Sequence, residues 1–312
     1  MKNQVMTKHD SQYYRLCGFS VRSQIPLPEL PVLEAGDVPS DVDLDIRFGP
    51  VPERLENADH VYPRFETSGS DLLLIKSAQI ARYLLQAPGK VTIQSWEPFV
   101  ERDVRSVLLA SVMGGFFHMQ GLFPLHASAV RFGDGVVAFS GASGAGKSTL
   151  AAFLSERGYQ VITDDVCVID LAEDAGRALV RPSFARLRLW GESMDALGKP
   201  LTEESRNTVR WNKYHLMLPS SRDVLPLKAV VLLEADASCD RPGLVPVKGG
   251  QAIAKMIQNV FRPEYARFLG RDQVSFRSST SIAGNVPVHE LRRKRDFEQM
   301  EDVVSLLENA FA

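Results

Sequence analysis

The chain has 312 residues, 45% of them hydrophobic and 24% charged, with a formal net charge of −2. That length allows two modest domains, the composition is ordinary for a soluble globular protein, and the near-neutral balance argues against nucleic acid as an obligatory partner. Its three cysteines, Cys17, Cys167 and Cys239, are too widely spaced for a metal pattern or a disulfide framework, which favours a reducing, cytoplasmic setting.

The opening segment, MKNQVMTKHDSQYYR, lacks the apolar core of a signal peptide. The next hundred residues read as β-rich. Tyr13 to Val21 predicts a first strand. Val42, Leu44, Ile46 and Phe48 alternate with Asp43, Asp45 and Arg47, the period of a half-buried strand. Asp71 to Lys76, Ile80 to Gln86, and Val91 with Ile93 and Ser95 continue a meander. His9 and His60 have no ligand spacing around them and read as surface histidines. Residues 1–100 are therefore expected to form a β-rich domain for substrate recognition or assembly.

Glu101 to Gln120 predicts a helix, with Glu101 and Asp103 in the first turn, where the dipole favours acids. Its apolar run, Val107 to Phe117, is too short to span a bilayer and carries two glycines, so a buried helix is expected and no membrane partner. We place the start of a second domain, 101–312, at this helix.

Leu125 to Arg131 predicts a strand, a Gly-Asp-Gly turn follows, and Val136 to Phe139 predicts a second, buried strand. It runs into Gly141, Ala142, Ser143, Gly144, Ala145, Gly146, Lys147, Ser148 and Thr149, a full match to G-x-x-x-x-G-K-[ST]. Small residues let successive backbone N–H groups turn inward around phosphate oxygens, and the next helix adds its positive end. That helix is predicted over Ser148 to Arg157, with Gly158 at its C-terminal cap. In this pattern Lys147 reaches the β- and γ-phosphates and the Ser148 hydroxyl binds Mg²⁺, so ATP and Mg²⁺ are the expected cofactors.

Tyr159 to Thr163 predicts a short strand ending in Asp164 and Asp165. In α/β sheets chemistry sits at the carboxyl ends of strands. One carboxylate can hold Mg²⁺ while the other accepts the proton of an attacking hydroxyl. We assign Mg²⁺ to Ser148 with Asp165, and keep both aspartates as candidate proton acceptors. His126 lies on the strand beside the loop and joins Lys147, Asp164 and Asp165 as a candidate catalytic residue.

Further on, Ala185 to Gly191 is strand-like with basic residues on one face, and Ser193 to Leu197 is a short helix. Val230 to Glu234 is a core strand. Val245 to Gly250 reads as a turn leading into a helix from Gln251 to Phe261, stopped by Pro263. Val286 to Leu291 is a last strand. Phe297 to Phe311 is an amphipathic helix. Arg186, Arg188 and Lys248 are candidate substrate or transition-state cations, while His118, His215 and His289 read as structural or solvated.

From Leu125 to Leu291 the chain resembles the C-terminal catalytic domain of the HPr kinase/phosphorylase family. The resemblance rests on LHASAV, GASGAGKST, the short helix ending in Arg157-Gly158, and Asp164-Asp165 at the family's distance from the loop lysine. VPVKGGQAIAKMIQNVFR is a weaker match. The resemblance implies an α/β fold, a P-loop kinase domain of the HPr kinase/PEP carboxykinase-like type, behind a β-rich N-terminal domain. It implies an ATP-dependent kinase acting on a serine hydroxyl of a peptide or small protein, with His126 supporting the catalytic acid, and a homo-oligomer. Thr149 stands where the family often has Glu, Arg188 where it carries an acidic metal-binding residue, and Gly249-Gly250-Gln251 where it has Pro-Gly-Arg. These departures argue against phosphorylysis and against HPr as the substrate. The whole-chain layout is more similar to HPr-kinase-like proteins of ribosomal-peptide biosynthesis, among them lasso-peptide precursor kinases. Two alternatives are a small-molecule kinase and a non-catalytic nucleotide sensor. The short interval from loop to aspartates argues against the first, and the presence of His126 with the aspartates against the second.

Overall fold

The computed structural model describes residues 11–171, 177–184, 186–208, 211–219 and 221–312. His9 and Ala185 lie outside them. Two compact units emerge: Met1–Leu122 with Arg262–Ser275, and Phe123–Phe261 with Phe276–Ala312.

Alternating apolar residues build an eight-stranded sheet in the first unit. Where one strand was expected from Tyr13 to Val21, two form: Gln12–Leu16 and Phe19–Ser23, paired antiparallel. Cys17 (φ 51°) and Gly18 (φ 86°) make the tight left-handed turn between them. Phe19–Ser23 runs parallel to Leu44–Phe48, which runs parallel to Lys90–Ser95. An antiparallel meander through Ala81–Gln86, Leu72–Ser77 and Phe65–Ser68 completes it, ending at the short strand His60–Val61.

The expected domain boundary near residue 100 lies later, after Leu122. The helix beginning at Glu101 is apolar around most of its circumference, and this sheet supplies the cover. Tyr83 donates its hydroxyl to the Val104 carbonyl at 2.9 Å, and Phe116 packs edge-on against Phe19 at 5.1 Å. Gly115 sits so close to the sheet that a Cβ there would lie 2.4 Å from Leu73 Cδ2. The helix is α over Glu101–Val107, widens to one π turn over Leu108–Val112, and returns to α over Met113–Met119. No helix among the described residues is long and apolar enough to cross a membrane.

The second unit is α/β. Gly135–Ser140, Leu225–Ala235 and Val288–Arg293 run parallel and adjacent. Ala127–Phe132 lies antiparallel beside Gly135–Ser140, and Val161–Thr163 antiparallel beside that. These directions put the start of one strand and the ends of the others on one sheet edge, where Ser128, Gly141, Asp164 and Arg293 meet. Val137, Phe139, Val231 and Leu233 bury on one face, against Leu150 and Leu154 of the helix Lys147–Glu156 and against Val304 and Leu307 of the helix Met300–Phe311. Val136, Ala138, Val230 and Leu232 bury on the other, against Ala252 and Met256 of the helix Gly249–Gln258. Cover on both faces explains why these strands read as continuous apolar runs.

Three sequence expectations move. The strand expected over Leu125 to Arg131 breaks at His126, into Phe123–Leu125 and Ala127–Phe132, because the halves pair with different neighbours. Val245 to Gly250 is no turn, since Gly243–Val247 is a strand on Val288–Arg293. The helix expected to run to Phe261 ends at Gln258, and Pro263 opens a further helix at its first position rather than stopping one. Arg186–Trp190, Trp211–Met217 and Arg206–Thr208 form a separate three-stranded sheet.

Candidate active site

The Gly-rich loop leaves the carboxyl end of Gly135–Ser140 and enters the helix Lys147–Glu156, as its sequence requires. Gly141, Gly144 and Gly146 all have positive φ, at 141°, 83° and 94°. At Gly146 the positive φ favours glycine, and a Cβ would lie 2.7 Å from Arg293 Nη2, the movable tip of a side chain. Lys147 Nζ donates to the carbonyls of Gly141 at 2.8 Å and Ala142 at 3.1 Å, so the ammonium is folded back over the loop. Burial pushes its pKa below the ordinary lysine value, while Asp165 and Asp164 oppose that shift.

The two aspartates occupy different environments. Asp164 is buried and its carboxylate accepts three hydrogen bonds. They come from Ser128 Oγ (2.6 Å), Ser148 Oγ (2.9 Å) and the Arg188 backbone N–H (3.1 Å). Burial pushes its pKa up, and the serine and backbone donors work against that rise. Asp165 is left-handed, φ 69°, which costs a non-glycine residue roughly 1–2 kcal/mol. Its Oδ2 accepts from Arg188 Nη2 at 2.7 Å. Burial would raise the Asp165 pKa, but Arg188, with Lys147 adding to it, outweighs that and holds the carboxyl below its usual range. Asp165 is thus a carboxylate at neutral pH.

The Ser148 hydroxyl is therefore brought to Asp164, not to Asp165 as expected for the metal pair. The physical reason is the left-handed turn, which sends the second carboxylate toward Arg188.

His126 occupies the break between its two strands. Its own N–H donates to the Asn259 carbonyl at 2.8 Å, and its carbonyl accepts from Ser140 Oγ at 2.9 Å. Nδ1 lies 3.0 Å from the Asp165 carbonyl oxygen and 3.5 Å from Asp165 Oδ1. A carbonyl only accepts, so Nδ1 carries the hydrogen. Burial, then the nearby Lys147 charge, lowers the His126 pKa and keeps the ring neutral.

These residues line one cleft. His126, Lys147, Ser148, Thr149, Asp165 and Arg188 are all on its wall. Thr149 is tied to Ser193 at 2.9 Å between hydroxyls. Arg186 and Lys248 are not on this wall. Arg186 is buried with its guanidinium over the Phe184 ring at 5.2 Å, and Lys248 is exposed before the helix Gly249–Gln258.

Sequence reasoning missed Ser128, which is buried and donates to Asp164, and several cleft residues. Ser128 could have been found, since the strand expected from the sequence places it two residues from His126, on the same side. Arg293 ends a parallel strand at the loop's edge and donates to the Ala145 carbonyl at 3.2 Å. The carboxyl-end rule together with the basic run LRRKR could have flagged it. Arg295 and Phe297 follow on the same wall. Trp190 and Lys213 are brought in by cross-strand pairing, which no local pattern announces.

The oxygen donors suit Mg²⁺. A serine hydroxyl and one carboxylate, 2.9 Å apart, leave most of the coordination shell to phosphate oxygens and water, which is how Mg²⁺ is usually held. Among the described residues no group of three or more His, Cys, Asp or Glu forms an all-protein cage.

No protein-family model matches the chain, and no curated protein matches it. Among solved structures it is similar to the Hpr(Ser) kinase/phosphatase from Coxiella burnetii, at 14% identity and a TM-score of 0.31, over 60% of this chain and 95% of that one.

Proposed function

We propose that the chain is an ATP- and Mg²⁺-dependent kinase that transfers the γ-phosphoryl group to a serine hydroxyl of a peptide or small protein. One observation carries the reading. Beside a complete phosphate loop, adjacent carboxylates are separated into Asp164, on Ser148, and Asp165, ionised and turned to the cleft with Arg188 and His126. A protein that only sensed nucleotide would need the first arrangement and not the second. The serine-peptide acceptor class rests on the motif resemblance, which extends to ribosomally made precursor peptides.

The loop N–H groups and the helix N-terminus bind the β- and γ-phosphates. Lys147 leaves the Gly141 and Ala142 carbonyls for phosphate oxygens. Ser148 and Asp164 would hold Mg²⁺, which would supply neutralising charge to the bound phosphates. The acceptor oxygen forms its bond to the γ-phosphorus as the bond from that phosphorus to the β–γ bridging oxygen breaks. ADP leaves with the electron pair, and the hydroxyl proton passes to Asp165. His126 is a positioning residue, because its Nδ1–H fixes the left-handed Asp165 backbone. Most of the rate comes from positioning and charge.

Mass spectrometry of serine-containing peptides incubated with the protein, ATP and Mg²⁺ tests this. Phosphopeptide should form with the wild-type chain and fall by about 10²–10⁴ with Asp165→Asn, nucleotide binding being retained. Equal transfer by Asp165→Asn, or turnover of small alcohols in place of every peptide, sinks the proposal.

A further inference from the structure

The cleft holds a cation that these roles leave unused. Trp190 and Lys213 face each other across antiparallel strands, and Lys213 Nζ rests 4.4 Å from the centre of the Trp190 ring. Trp190 is 38% exposed, and both residues line the cleft with Asp165, Arg188 and Lys147.

Three of the other four cations there have protein acceptors among the described residues, Arg295 on the same wall being the exception. Lys147 is on the Gly141 and Ala142 carbonyls, Arg188 on Asp165, and Arg293 on the Ala145 carbonyl. Lys213 has only the face of an indole, with no carboxylate or carbonyl partner among the described residues. A half-buried ammonium gives up hydration, and a ring face returns only part of it. Burial and then Arg188 push its pKa below the ordinary lysine value, against the pull of Asp165 and Asp164. Lys213 also acts on the Lys147 charge across the cleft. The cations Lys147, Arg188 and Lys213 therefore converge around Asp165, where a phosphoryl group passing to an acceptor beside that carboxylate would sit.

We infer that Lys213 is a further catalytic residue, which leaves the Trp190 ring to contact the γ-phosphoryl oxygens during transfer. The inference rests on the kinase reading above. Lys213 forms no covalent bond and moves no proton. It supplies charge while the acceptor O–P bond forms, the bond to the bridging oxygen breaks, and the proton goes to Asp165. The developing charge on the equatorial oxygens is where a preorganised donor lowers the barrier most. Trp190 gives the ammonium a resting place that an arriving anion outcompetes, whereas a carboxylate partner would hold it back.

The full chain, ATP with Mg²⁺ and a serine peptide that the wild type phosphorylates give the test. Lys213→Ala should lower kcat by about 10²-fold, with the affinity for a non-hydrolysable ATP analogue unchanged. Lys213→Arg should recover part of kcat, and added ethylammonium should raise the turnover of Lys213→Ala but not of wild type. Where Lys213→Ala does not fold, Lys213→Gln, which keeps the stem on the ring, replaces it in the comparison. Wild-type turnover in the alanine or glutamine variant overturns the assignment and leaves the kinase reading standing. So does a loss of turnover that neither arginine nor ethylammonium relieves. A wild-type chain that binds the analogue and phosphorylates no hydroxyl peptide overturns the kinase reading, and the role of Lys213 with it.

Discussion

Ser148 Oγ donates to Asp164 Oδ1 at 2.9 Å, and one residue later the backbone turns left-handed, φ 69° at Asp165. Consecutive carboxylates thereby acquire separate partners and, in the kinase reading proposed above, separate duties. Asp164→Asn should raise the Mg²⁺ concentration needed for half-maximal turnover by about tenfold or more, since it removes a negative oxygen from the metal side. Asp165→Asn should leave that concentration in place and lower kcat. Mg²⁺ titrations of both variants check the division, and matching shifts would contradict it.

Gly146→Ala should weaken nucleotide binding. The new methyl would meet Arg293 Nη2 at 2.7 Å on a backbone with φ 94°. Left-handed strain alone costs an alanine roughly 1–2 kcal/mol. The Arg293 tip can move aside, but the backbone strain is relieved by shifting the loop, whose N–H groups would face the phosphates in the kinase reading. Calorimetric titration with the ATP analogue should show Kd rising about tenfold, which corresponds to about 1.4 kcal/mol.

His126→Ala and His126→Asn should differ. The ring's Nδ1–H reaches the Asp165 carbonyl at 3.0 Å, and an asparagine amide offers a donor at nearly the same place. If the ring positions Asp165, asparagine should keep more of kcat than alanine, with about tenfold or more lost in the latter and KM for ATP unchanged. Equal losses would assign the ring a different task.

How much of this was legible in the residues follows from range. The apolar run Val136 to Phe139, the small residues of the loop and Gly158 (φ 89°) as a helix terminator are local facts, and they read correctly. Asp164 and Asp165 were legible as a pair at a strand end. Their division was not, because it depends on one left-handed residue that nothing nearby requires. Cys17 hid a turn in the same way, being left-handed without being glycine or asparagine. Arg186 and Arg188 share a strand face by period, yet Arg186 is buried beside Phe184 while Arg188 reaches the cleft. Lys213 depended on register between strands far apart in sequence, which is a tertiary fact.

Glu66 gives a pH dependence in the first unit. It is buried, pairs with Lys76, and accepts the Leu55 N–H at 2.7 Å. Burial would raise its pKa, yet Lys76 and the Leu55 N–H together bring it below the ordinary glutamate value. A carboxyl whose pKa is depressed by folding contributes its full stability above the unfolded value, about pH 4.3, and loses it as pH falls through the folded value. Glu66→Gln should therefore cost about 1.5–3 kcal/mol near neutrality, the range for hydrogen bonds to a charged group. Urea unfolding of both proteins should show that gap narrowing below about pH 4, as wild-type Glu66 takes up its proton and becomes, like glutamine, neutral. A gap that held constant or widened on acidification would mean that the ion pair with Lys76 does not stabilise the sheet.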